Sequence, residues 1–210
     1  MKLLLAALFA AALHPGSALG EPIEGVEYER LDPPRPSAAP DRIEVVEFFY
    51  YGCESCDRFD PKLGRWLEHK PQDVHFRRVP AIRRTDWIPL TRLFFVLEEL
   101  GALPRLHSEV YRAVHAEGRD FRDRKTVLDW GQSKGLDRAA LDAALDSDVI
   151  RIKVEKARDT TIAYDVRTTP TLVVDGRYLT SAEMLGDIEL LVPVLGALID
   201  KVRRERAAAR

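Results

Sequence analysis

The sequence predicts an α/β fold interrupted by a long all-helical block. Three features predict it: a strand–helix–strand pattern over residues 43–79, a run of amphipathic helices from Asp86 to about Tyr164, and strands that return after residue 170 with a last helix behind them. The helices therefore interrupt the α/β unit instead of following it. We divide the chain into residues 1–20, a lead-in over 21–41, an α/β domain built from 42–82 and 160–206, and an inserted helical domain over 83–159.

Each element follows from its residues. Glu21 to Asp41 carries Pro22, Pro33, Pro34, Pro36 and Pro40 and reads as an extended, weakly structured lead-in. Ile43 to Tyr51 (IEVVEFFYY) is β-branched and aromatic, the pattern of a strand buried on both faces. Gly52 turns the chain into Cys53-Glu54-Ser55-Cys56, and Phe59, Leu63, Trp66 and Leu67 follow at helical spacing. Pro61 should kink that helix and Lys70-Pro71 should end it. Val74 to Val79 alternates as a second strand.

Leu90, Leu93, Phe94 and Leu97 then mark one amphipathic helix, Leu106, Val110 and Val114 a second, and Val127, Leu128 and Trp130 a third. Asp137 is placed to cap a fourth with Leu141, Ala144 and Leu145, and Val149, Ile152, Lys153 and Lys156 carry a fifth toward Tyr164. Thr171–Val174, the Asp175-Gly176 turn and Arg177–Thr180 read as a hairpin. Ser181 or Asp187 can cap a last helix bearing Ile188, Leu191, Val194, Leu195 and Leu198, with RRERAAAR as a polar frayed end. Trp66, Trp87 and Trp130 read as core or domain-interface residues. His107 and His115 fall on helix faces without a nameable partner, and Tyr50 or Tyr51 is a candidate wall of a substrate groove.

Composition narrows the functions. The 210 residues are 46% hydrophobic and 31% charged, a globular balance, with 32 Lys+Arg against 34 Asp+Glu. A near-neutral, slightly acidic chain is not built around nucleic acid, which demands a basic face. Two cysteines are too few for a disulfide scaffold, a four-thiolate zinc site or an iron–sulfur cluster. Met1-Lys2, the apolar run Leu3–Leu13, the His14-Pro15-Gly16 break and Ala18-Leu19-Gly20 match a secretory signal peptide. The run is too short to span a membrane, which takes about 20 residues. Export places the cysteines in an oxidising compartment, where two of them form a pair.

Three readings of the pair compete. A static Cys53–Cys56 bridge would close a very short loop and stabilise little. Zinc must be answered because Cys53, Cys56, His69 and His75 fit a C-x2-C-x12-H-x5-H spacing, although Pro71 breaks the helix that would carry both histidines. A redox pair explains the placement best. At a strand-to-helix switch, free N–H groups and the positive helix end stabilise a thiolate at the first cysteine. Cys53 is then the exposed sulfur and Cys56 the shielded, resolving one. Glu47 is the second candidate, because an acid inside an apolar strand is costly unless paired or protonated. Arg78 or Arg77 is its candidate partner.

VVEFFYYGCESC, with TTPTLVVDGRY far downstream, resembles the DsbA family of periplasmic thiol–disulfide oxidoreductases over roughly residues 41–205. The resemblance implies a thioredoxin fold with an inserted helical domain. It implies that Pro170 is a cis proline facing the cysteines, that Thr169 and Pro170 hold a substrate strand by β-augmentation, and that Glu47 is a buried acid that moves a proton. It also implies unfolded or partly folded exported proteins as substrates, no bound cofactor, and a membrane quinone-linked partner of the DsbB kind. A monomer is expected. The best-known members carry Pro-His between the cysteines, whereas Glu54-Ser55 stands here. Glu54 opposes a thiolate and Ser55 brings no charge, so a weaker oxidant is expected, with reductase or isomerase action as the alternative direction. The rival from another class is a non-catalytic, chaperone-like peptide binder with a static disulfide.

Overall fold

The computed structural model describes residues 21–209, so the signal-peptide reading of residues 1–20 lies outside the described residues. Strand β1 (Glu29–Arg30) is followed by β2 (Ile43–Phe49), helix α1 (Glu54–His69) and β3 (Val74–Pro80). Between β3 and the next strand lie a 3-10 turn at Thr85–Trp87 and helices α2 (Ile88–Glu99), α3 (Leu103–His115), α4 (Arg124–Ser133), α5 (Arg138–Leu145) and α6 (Asp148–Ala163). Strands β4 (Thr171–Val174) and β5 (Tyr178–Ser181), the short α7 (Ala182–Leu185), a 3-10 turn and α8 (Leu191–Ala208) complete the chain. Helices α2–α6 are thus inserted between a strand–helix–strand unit and the returning β4–β5 hairpin.

The five strands pair in the order β1-β5-β4-β2-β3. Only β2 and β3 run parallel; the other pairs are antiparallel. Strand β2 is central and every residue of it is buried. Its alternation serves two cores. Val46 and Phe48 face the inserted helices, where Leu93, Leu97, Leu106 and Trp130 are buried. Ile43 and Val45 face α1 and α8, against Phe59, Leu63, Leu195 and Leu198. Removing a large ring from either core costs about 3–5 kcal/mol.

The hairpin forms as its sequence requires. Asp175 and Gly176 both have positive φ (57° and 64°), the twist of a two-residue turn between right-twisted strands. A Cβ on Gly176 would lie 2.1 Å from the Arg35 backbone oxygen. Gly176→Ala is therefore expected to destabilise the fold by about 3 kcal/mol, read as a lower urea midpoint at unchanged slope; an unchanged midpoint would show that the lead-in does not pack there.

Several details correct the sequence-based expectations. The lead-in is not merely extended, since β1 adds an edge strand to β5. Helix α1 runs unbroken through Pro61. Helix α6 continues to Ala163, and it buries Ile150, Val154 and Ala157 while Val149 and Ile152 are exposed. Both proposed caps are used, Ser181 on α7 and Asp187 on the 3-10 turn before α8. The basic tail is not frayed: Arg203 pairs with Asp73 and Asp200, Arg204 with Glu21, and Arg206 with Asp175. Among the described residues no helix is long and apolar enough to cross a membrane.

Candidate active site

Cys53 is the N-cap of α1 and Cys56 lies in its first turn. Both are free thiols, Cys53 half-buried and Cys56 buried. The Cys56 N–H points to Cys53 Sγ at 3.4 Å, as a cap requires. The Cys53 thiol donates to the Thr169 carbonyl at 3.2 Å, which ties the helix start to the loop before β4, and the Thr169–Pro170 peptide is cis.

This environment separates the two sulfurs. The hydrogen bond from the Cys56 thiol, helped by Thr169 and by the Cys56 and Ser55 backbone, outweighs burial and brings Cys53 down to about 6. Burial, with the Cys53 sulfur beside it, pushes Cys56 well above an ordinary thiol. One sulfur is thus a thiolate at neutral pH and reachable; the other is protonated and shielded.

The sheet register explains Glu47. In the parallel β2/β3 pair Glu47 lies opposite Arg78, so both side chains leave the same face. They meet at 2.8 Å, with Glu47 1% exposed. Arg77 takes the other face and serves the buried Glu44, also at 2.8 Å. Burial drives Glu47 up to about 7, although the Arg78 charge pulls the other way. A buried carboxyl at that value can both hold and release a proton near neutrality. Arg78 also reaches Asp60 Oδ1 at 3.3 Å, one turn beyond Cys56 on α1. Burial works to raise Asp60, yet His107, Ser108 and Arg78 hold it below the usual carboxylate range.

Helix α3 completes the polar interior. Ser108 Oγ donates to Asp60 Oδ2 at 2.6 Å, and His107 Nε2 stands 3.3 Å from Asp60 Oδ1. The other His107 nitrogen meets the Tyr51 hydroxyl at 2.8 Å, and His115 Nε2 donates to the Tyr51 carbonyl at 2.7 Å. Burial lowers His107 below its ordinary value, against the pull of Asp60. The segment running into Cys53 is therefore gripped by the insertion on both its hydroxyl and its carbonyl. Sequence reasoning left both histidines without partners and did not find Asp60. The i, i+4, i+8 spacing of His107, Tyr111 and His115 on α3 was the available signal.

Tyr50 turns back over Gly52, where a Cβ would sit 2.5 Å from its ring, and stacks flat on Trp87 at 4.0 Å between centroids. Tyr50 and Gly52, with Leu90, Val114 and Phe121, line a cleft of about 300 Å³ rimmed by Asp86, Arg119, Asp120 and Arg122. Glu54 is exposed and Ser55 half-buried, its hydroxyl taking a long bond from Arg58 at 3.3 Å. The zinc template is not assembled. His69 ends the helix whose first turn holds Cys56, about 20 Å away at 1.5 Å per residue. Its Nδ1 bonds the Arg65 carbonyl, and His75 bonds Arg42. Among the described residues no group of three or more His, Cys, Asp or Glu is arranged for a metal.

Comparison with known proteins places this geometry. A family profile described as a DSBA-like thioredoxin domain matches residues 62–190. The thiol:disulfide interchange protein DsbA of Pseudomonas syringae pv. tomato is 35% identical over 207 residues, 98% of this chain and 95% of that protein. The Bordetella pertussis protein of the same name is 36% identical over 161 residues, 77% of each chain. The crystal structure of Pseudomonas aeruginosa DsbA superposes with a TM-score of 0.82 at 36% identity, covering 88% of this chain and 95% of that one.

Proposed function

Because the chain belongs to the family of DSBA-like thioredoxin domains and is a thiol–disulfide oxidoreductase, we propose how its own residues divide the exchange. Cys53 is the sulfur that meets the substrate. In the oxidising direction a substrate thiolate attacks Cys53 Sγ, an intermolecular S–S bond forms, and the Cys53–Cys56 bond breaks with its electron pair on Cys56. A second substrate thiolate then attacks the substrate sulfur of the mixed disulfide, and Cys53 leaves as a thiolate. Two electrons pass from substrate to enzyme. One proton ends on Cys56 and the other in solvent.

Glu47 supplies and retrieves the Cys56 proton, supported by its value of about 7 beneath the helix start. Thr169 and Pro170 bind an extended substrate strand, supported by the Thr169 carbonyl that Cys53 already contacts. Substrates are unfolded or partly folded exported proteins, the site of action is the periplasm after removal of residues 1–20, and a DsbB-like, quinone-linked membrane partner restores the disulfide. We assign residues 42–82 and 160–206 to the α/β domain and 83–159 to the insertion, and we expect a monomer without a bound cofactor.

The observation that carries this reading is the split between the two sulfurs, which a static bridge does not need. Iodoacetamide labelling of the reduced protein across pH tests it. Cys53 is expected to react with a midpoint near 6 while Cys56 stays unreactive through neutral pH. Equal labelling of both with an ordinary thiol midpoint would remove the basis for assigning separate roles. The exposed acid Glu54 favours a second reading, in which the same chemistry runs as a reductase or isomerase.

A further inference from the structure

Residues 50–53 form the turn that carries β2 into α1. The Cys53 N–H closes it by donating to the Tyr50 carbonyl at 3.0 Å. Tyr51 and Gly52 are its central residues, and neither has positive φ. The peptide between them is trans, so the Tyr51 carbonyl and the Gly52 N–H point in opposite directions. A turn of this kind has two forms that differ by a flip of the central peptide. The flipped form needs positive φ at the third residue, which glycine adopts at little cost. Gly52 holds that third position, so backbone sterics do not choose between the two forms here. Helix α3 supplies the choice. His115, its last residue, is half-buried, and His115 Nε2 meets the Tyr51 carbonyl at 2.7 Å. A carbonyl only accepts, so Nε2 carries the proton. Earlier on the same helix, His107 Nδ1 meets the Tyr51 hydroxyl at 2.8 Å, and between the two histidines the Tyr111 ring packs edge-on against Tyr51 at 5.0 Å. Tyr51, 1% exposed, thus lies lengthwise along α3, its side chain held by His107 and Tyr111 and its carbonyl by His115.

We propose that His115 is a positioning residue for Cys53: by holding the Tyr51 carbonyl it locks the central peptide of this turn against the flip that Gly52 would otherwise allow. With the carbonyl turned in to α3, the outer side of the peptide, one residue before Cys53, presents the Gly52 N–H. A flip would present a carbonyl there instead, and its negative end opposes a thiolate. It would also disturb the start of α1, because Cys53 is both the last residue of the turn and the N-cap whose sulfur receives the Cys56 N–H at 3.4 Å. The two ends of Tyr51 therefore do different work. The hydroxyl bond to His107 anchors the side chain, whereas the carbonyl bond to His115 sets the direction of the one peptide that glycine leaves free. His115 comes from the inserted helices, so the insertion acts on the reactive sulfur through a single backbone carbonyl.

The inference rests on Cys53 being the reactive sulfur, and an Asn/Gln pair at position 115 tests it. A glutamine amide nitrogen can take the place of Nε2; an asparagine is too short to reach the carbonyl. His115→Asn is expected to raise the Cys53 alkylation midpoint by about one pH unit. The glutathione equilibrium should then move about fivefold toward the disulfide at pH 7. His115→Gln should restore both, with a midpoint within about 0.3 pH unit of the parent. Tyr51→Phe, which loses the hydroxyl bond and keeps the carbonyl one, should also match the parent. His115→Ala is a second variant without the donor, should His115→Asn not fold. A lowered melting temperature with an unmoved Cys53 midpoint would show a structural bond only and overturn the proposal. So would a His115→Gln variant that behaves like His115→Asn, since the donor would then not be what matters, or a Tyr51→Phe shift as large as that of His115→Asn. If Cys53→Ser keeps the parent's activity, the assignment of Cys53 itself falls; if Cys53→Ser is inactive while His115→Asn is silent, only the role of His115 does.

Discussion

Cys56→Ser is expected to turn the enzyme from a catalyst into a trap. Cys53, at about 6, is a thiolate at neutral pH and half-accessible, so its attack on a substrate disulfide survives the change. What disappears is the neighbouring sulfur that would release the product. Mixed disulfides should then accumulate and be released only by added thiol, with turnover reduced at least about a thousandfold. Cys53→Ser should instead form no covalent complex and show background activity in dithiothreitol-driven insulin reduction. If Cys53→Ser works as well as the parent, or Cys56→Ser accumulates no mixed disulfide with a model substrate, the roles assigned to the two sulfurs are wrong.

The same ionisation makes folding stability depend on pH in a defined direction. The Cys53 thiol is lowered in the folded protein, so its contribution is fully present above an ordinary thiol value and lost as pH falls through about 6. At pH 7 this is about 1 kcal/mol after allowance for its partial exposure, and it belongs to the dithiol form alone. The disulfide form gains nothing from it. Reduction therefore stabilises the fold at neutral pH, which is the thermodynamic meaning of an oxidising disulfide.

Much of this was legible in the sequence because it is local. IEVVEFFYY announces a strand buried on both faces, Asp175-Gly176 announces its turn, and the placement of Cys53 between strand and helix announces a thiolate. Glu47 stands out because an acid in such a strand demands an explanation. What the residues alone left open depends on register and on long separations. Arg77 and Arg78 are equivalent until β3 is laid against β2, whereupon alternation sends one to Glu44 and the other to Glu47. His107 and Ser108 act on residues about fifty positions earlier, and spacing on α3 marks a polar face without saying what it meets. Strand β1 has two residues, too few to show alternation. On α6 the apolar residues fall on two faces, and only packing decides that Ile150 and Val154 are inside.

Replacing Glu54-Ser55 by Pro-His is expected to make the protein a markedly stronger oxidant, with most of the gain coming from Ser55→His. Glu54 is exposed, so water and salt screen its charge and Glu54→Pro alone should shift the potential by no more than about 10 mV. Ser55 is half-buried in the first turn and lies among the backbone groups that already hold the Cys53 sulfur. An imidazole there places a donor, cationic in its protonated form, against the Cys53 thiolate. Each pH unit by which the Cys53 midpoint drops below about 6 stabilises the dithiol at neutral pH, and for a two-electron couple one unit corresponds to about 30 mV. A double variant with Cys53 near 4 would thus gain about 60 mV and a roughly hundredfold change in its equilibrium with glutathione. Arg58, already near Ser55 Oγ at 3.3 Å, works in the opposite sense, because it partly fills the electrostatic role the imidazole would take. If it fills that role completely, Ser55→His leaves the glutathione equilibrium within twofold of the parent. The dipeptide between the cysteines would then not be what tunes this site, and the tuning would have to come from the helix end and the Thr169 loop.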